Sequence, residues 1–173
     1  MKKPKEIVEI KLKWNWLIPF GKLAMTVFGK MWIKNSDRST WERYEKNGTS
    51  KFVLNHEMIH VKQAVSTNDS WWKFYLLYVW YWLKNNPLFR GFDFAYKMNP
   101  FEMEAYANEN DLFYPGTHSS GAKRWQVYNT ITIKQRKEYW KDYEVKRKSE
   151  YITFGKYIEK YIDPKLNFKE YTT

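Results

Sequence analysis

With 173 residues the chain has the length of one domain and can bury a single core. Its zero cysteines exclude disulfides and thiolate metal sites, while 43% hydrophobic and 20% aromatic residues exclude disorder along the whole length. A net charge of +11 would suit any acidic partner, but the lysines are scattered without an RNP, zinc-finger or helix-turn-helix pattern, so a solvated basic surface is expected and nucleic acid is not.

The start, "MKKPKEIVEIKLKW", breaks into charges before an apolar run of signal length, so no secretion signal is expected and the location is cytoplasmic or bound to an assembly. Ile10, Leu12, Trp14 and Trp16 alternate with polar residues, as in a half-buried strand. After a break at Pro19 and Gly21 the alternation resumes with Leu23, Met25, Val27, Met31 and Ile33 on one side, and the two stretches predict a short antiparallel sheet or hairpin. Residues 35 to 50 are polar and turn-rich and read mostly as loop.

Thr49 or Ser50 can cap a helix through "KFVLNHEMIHVKQAV". A second helix, "WWKFYLLYVWYWLK", is bounded by Asp69 or Ser70 and by Pro87. It is too short to span a bilayer and reads either as a core helix or as one that meets a membrane surface or a partner. Asn99 followed by Pro100 opens a third helix, "PFEMEAYANE". Beyond about residue 126 the chain is rich in Lys, Tyr and Glu and predicts a charged, mostly helical C-terminal extension, so the chain divides into 1–126 and 127–173. The fold class expected is α+β.

Chemistry concentrates in "LNHEMIHVKQ". On a helix, His56 and His60 share a face and can converge on one metal ion, while Glu57 projects beside them as a base for a metal-bound water. A third ligand must come from elsewhere, and the later helix offers one. Glu102, Tyr106 and Glu109 form a stripe on it, and Glu104 points off that stripe. Two imidazoles, one carboxylate and an open position is the layout of catalytic zinc, with Glu102 or alternatively Glu104 as the carboxylate.

The pattern resembles the gluzincin division of zinc metallopeptidases, HExxH followed by a glutamate on a later helix. In one branch the later segment reads ExxAD, which maps Glu102 onto the ligand and Tyr106 onto the aspartate in "EMEAY". It is also similar to small bacterial proteins, some phage-encoded, that carry LIPF, FG, NHExIHxxQ and FExEAYxNE; here these fall at 17–20, 28–29, 55–63 and 101–109. The resemblance covers roughly residues 17 to 126 and implies a minimal zincin fold: a small sheet over the metal helix, with two supporting helices. Tyr106 in place of the aspartate implies a differently built support for the ligand imidazole.

Each residue also has a plainer reading. Glu102 stands at the capping-box position after Asn99, Tyr106 can pack or donate to an oxyanion, Gln63 can hold a ligand or face solvent, and His118 in "GTHSSG" can be an ordinary loop histidine. Two functions follow as expectations. One is a zinc-dependent peptidase acting on a peptide or protein, with Glu57 as general base. The other is a non-catalytic component of a large assembly, such as a phage virion or tail ring, built on a zincin scaffold and docking partners through the extension.

Overall fold

The computed structural model describes residues 9–13 and 23–169, in an α+β arrangement of a small N-terminal sheet followed by helices. The strands are β1 (Glu9–Lys13), β2 (Ala24–Val27) and β3 (Lys30–Lys34), in the order β1-β3-β2. Phe28 and Gly29, at φ 49° and 75°, form the two-residue turn between β2 and β3, the left-handed pair that suits the twist of an antiparallel hairpin. Because the chain reverses there, Ala24 faces Ile33 and Thr26 faces Met31. Met25 and Val27 therefore lie on the face opposite Met31 and Ile33, contrary to the alternation read along the strand. β1 adds to the free side of β3 in parallel, Ile10 beside Met31 and Leu12 beside Ile33, which makes the sheet mixed. Trp14, Trp16 and the stretch 17–20 lie outside the described residues.

The polar stretch read as loop contains a nine-residue helix, α1 (Arg38–Lys46). It has a single buried side chain, Trp41, which packs with Met31 and Ile33. One anchor in nine residues leaves no apolar periodicity to read, and tertiary packing supplies what local propensity does not. The next two helices agree closely with expectation: α2 (Ser50–Ser66) and α3 (Trp71–Lys84), with Ser70 accepting from the Lys73 amide; the short α4 (Pro87–Arg90) and α5 (Phe92–Lys97) that follow are not among the expected elements. In α6 (Pro100–Asn108) the Asn99 side chain accepts from the Phe101 amide. After α7 (Tyr114–Thr117) and α8 (Trp125–Asn129), Thr132 and Gln135 close a capping box on α9 (Ile133–Ser149). Finally α10 (Phe154–Tyr157) runs into a π-helical turn over Ile158–Ile162.

α6 is the centre of the molecule. Its Phe101 packs with Val61, Trp71, Phe74 and Trp125, and its Met103 packs with Tyr128, Tyr143, Tyr157 and Ile158. The segment beyond residue 127 thus shares a core with Met98 and Met103. At the closest approach Gly155 lies directly against the Tyr106 backbone carbonyl, where no Cβ can fit. Arg136, only 3% exposed, plugs the same region and donates to the carbonyls of Met98, Ile131 and Tyr128. Two of those carbonyls end α5 and α8, where the helix dipole is negative, so the buried cation has partners without a carboxylate. Burial brings its guanidinium down to about 10, still charged at neutral pH.

α3 has two unlike faces. Trp71, Phe74 and Tyr81 face inward, whereas Trp72, Leu76, Trp80 and Leu83 stand in solvent. Among the described residues no helix is long and apolar enough to cross a membrane.

Candidate metal centre

α2 buries Asn55, His56, Glu57, His60 and Gln63, an unusual polar load for the inner side of a helix. Such groups are tolerated inside only when each has a partner, and the partners here lie almost wholly on or around α6. Asn55 clamps the end of that helix, its Nδ2 donating to the carbonyls of Asn108, Glu109 and Asp111 at 3.2, 2.8 and 2.9 Å. The last carbonyls of a helix have no partner within it, so this side chain fixes where α6 stops and how it lies along α2.

Between the clamp and Gln63 sit the two imidazoles, with Glu102, 1% exposed, facing both. His56 Nε2 is 3.4 Å from Glu102 Oε2 and His60 Nε2 is 3.3 Å from Oε1. Two donors bound at about 2.0–2.1 Å and a tetrahedral angle stand roughly 3.4 Å apart, so these separations suit a shared ion. Ligand atoms from His56, His60 and Glu102 all lie within 4.8 Å of one another. Glu102 does not cap its helix. Its Oε1 accepts from the Tyr78 hydroxyl at 2.7 Å, and its Oε2 is buried with no hydrogen-bond partner. A buried carboxylate whose orphaned oxygen faces His56 and whose other oxygen faces His60 has the chemistry of a cation ligand, and the donor set fits a divalent metal.

Both imidazoles are held from behind. His56 Nδ1 donates to Glu109 Oε2 at 3.0 Å, leaving Nε2 for the centre. This is the support that Tyr106 was expected to lack. Glu109 lies two turns after Glu102, and the shared stripe was the signal for it. Tyr106 packs its ring edge-to-face on His56 with centroids 4.7 Å apart, and burial raises its hydroxyl well above the ordinary range. His60 Nδ1 meets Gln63 Oε1 at 2.8 Å. The Gln63 amide cannot turn round, because its Nε2 donates to the Phe101 carbonyl at 2.9 Å and Glu104 Oε2 at 2.8 Å. The amide oxygen must therefore face His60, and His60 must carry its proton on Nδ1.

Glu104 is accordingly outside the cluster. Its carboxylate accepts from Tyr114, Gln63 and the backbone amides of Arg124 and Trp125. His118, also apart from the centre, stacks on Tyr114 at 4.0 Å and bonds the Tyr114 carbonyl through Nδ1. Gln63→Leu is expected to weaken divalent-metal binding about 10- to 100-fold, the usual effect of removing a ligand's orienting partner. Competition against a chromophoric chelator would measure it, and unchanged affinity would show that the Glu104–Gln63–His60 chain serves packing alone.

In the metal-free chain the charges lean on one another. Burial pulls His56 down, but contacts with Glu102 and Glu109 outweigh it and carry the imidazole up to about 10. His60 is likewise raised: burial opposes the shift and Glu102 drives it. Glu102 is held well below the usual carboxylate range, the two imidazoles overcoming its own burial. Tyr78, and Tyr96 beside it, are raised by burial and by the same carboxylate. Neither tyrosine stands out in a sequence with 14 of them.

Glu57 is buried beside the imidazoles, and its charge reaches His56, His60, Tyr75 and Tyr78. β2 is at the sheet edge, and α3 reaches it through Tyr75, whose hydroxyl accepts from the Phe28 amide at 2.9 Å and donates to the Thr26 carbonyl at 3.4 Å. Compared with protein-family models, curated proteins and solved structures, the chain matches none.

Proposed function

We propose that the chain is a metal-dependent hydrolase of peptide bonds, with zinc held by His56, His60 and Glu102. The observation that carries this reading is the buried His-His-Glu group with its orphaned carboxylate oxygen. Zinc in such a site supplies a Lewis acid that acidifies water and polarises a carbonyl. In this reading Glu57, buried on the same helix, would accept the proton of the attacking water and return it to the leaving amine. Glu109 and Gln63 fix the two ring tautomers, and Tyr78 anchors the Glu102 oxygen that faces away from His56. The β2 edge suits pairing with an extended substrate, and Tyr75 sits where that backbone would compete for Thr26.

A packing role for residues 127–169 favours this reading over a scaffold that spreads its tail across neighbours, because that segment completes the core around α6. The decisive experiment pairs metal analysis with cleavage of a peptide library. Wild-type protein is expected to hold one zinc per chain and cleave. Glu57→Gln is expected to keep the zinc and lose activity by about three orders of magnitude, as removal of a general base does. Zinc-loaded wild-type protein without any cleavage would remove the peptidase assignment and leave only the metal site.

A further inference from the structure

The outer face of α3 and its continuation into α4 combine large apolar side chains with positive charge. Leu76 and Trp80 are 71% and 61% exposed, and Leu88 and Phe89 are 81% and 86% exposed at the following turn. Trp72 and Leu83 complete the stripe at helical spacing. Lys73 and Lys84 are exposed at its two ends, Arg90 follows, and no Asp or Glu occurs between Ser70 and Phe92. Solvent alone does not favour a face that sets so many large apolar side chains side by side.

We propose that this face docks on the surface of an anionic lipid bilayer. Its indole and phenyl rings and leucines would enter the boundary between headgroups and acyl chains, with Lys73 and Lys84 against lipid phosphates. Trp, Phe and Leu on one side of a helix edged by lysine is the composition that lies in a membrane interface. At 14 residues α3 is about 21 Å long, too short to cross and suited to lying flat. A second copy of the chain is a poor occupant. A two-fold contact would set Lys73 and Lys84 near their own copies, with no carboxylate in the segment to offset them. Side chains that stand as far out as Leu88 and Phe89 suit a fluid phase that closes round them. The inner face of the same helix carries Tyr78, which bonds Glu102, so docking would hold the metal centre roughly one helix diameter, about 10 Å, from the lipid.

The test is flotation of the full chain with vesicles of phosphatidylcholine alone and mixed with phosphatidylglycerol. The wild-type chain is expected to float with the mixed vesicles and its tryptophan emission to shift to the blue. Leu88→Ser/Phe89→Ser, and separately Leu76→Ser/Trp80→Ser, are expected to weaken partition by roughly tenfold or more with unchanged circular dichroism. Lys73→Glu/Lys84→Glu is expected to weaken it and to flatten its salt dependence. Absence of partition would overturn the proposal. So would partition indifferent to the serine pairs, which would be attraction of net charge alone, and so would self-association or protein capture through this face without lipid binding.

Discussion

Glu102→Gln is expected to lower zinc affinity at least about a thousandfold, beyond the 10- to 100-fold of a supporting residue, because it removes the one anionic ligand. The same change acts on the metal-free chain with a sign that can be checked. His56 is carried to about 10, above its ordinary 6.5, so its pairing contributes stability that is fully present below about 6.5 and is lost as pH rises through about 10. Without the Glu102 charge, roughly 3 kcal/mol of that stability should disappear at pH 6 and much less near pH 10, since a buried pair that loses one partner leaves the other uncompensated. Chelator competition and denaturant melts across that pH range measure the two effects. Excess zinc should raise the melting temperature of the wild type and leave the variant almost unmoved. Equal zinc affinity in the two proteins would dismiss Glu102 as a ligand.

The second large effect is expected from Gly155→Ala. The added methyl would collide with the Tyr106 carbonyl, and a backbone atom on a buried helix cannot step aside as a flexible side chain can. Either α10 lifts or α6 shifts, costing about 3 kcal/mol in the manner of an overpacked core. Because Tyr106 lies on His56, a shifted α6 should also blunt metal affinity in the protein that remains folded. Gly116→Ala is the control, since nothing lies within 4 Å of the Cβ it would add, and it should stay near neutral. Urea midpoints of both variants measure the difference. A neutral Gly155→Ala would mean that the C-terminal segment gives way easily and does not brace the centre.

Much of the site was legible because it depends on short-range regularities. The four-residue spacing of His56 and His60 places them on one helical face, and Asn99-Pro100 opens α6 where the start signal lies. What escaped reading depends on distant contacts. α1 is held by Trp41 alone, and a helix with one anchor has no period. Phe28 in a left-handed conformation is a poor advertisement for a turn, so the reversal at residues 28–29 and the true faces of Met25 and Val27 stayed hidden although an antiparallel pairing was expected. Asn55 gives no local sign that it will bind three carbonyls more than fifty residues away. Glu104, equally suited to metal by type, is diverted by donors from α7 and α8 that only the assembled chain brings near.

Arg136 forms a contrast with the His56, His60 and Glu102 group. That group gathers anionic and imidazole side chains fit to hold an ion, which under the proposed function would be acquired from outside and could be stripped by a chelator. The Arg136 site converges carbonyl oxygens on a cation that is covalently part of the chain. Under the proposed function, starvation for metal would empty the first site but have no hold on the second, and a protein kept in a poor medium should wait intact for its ion.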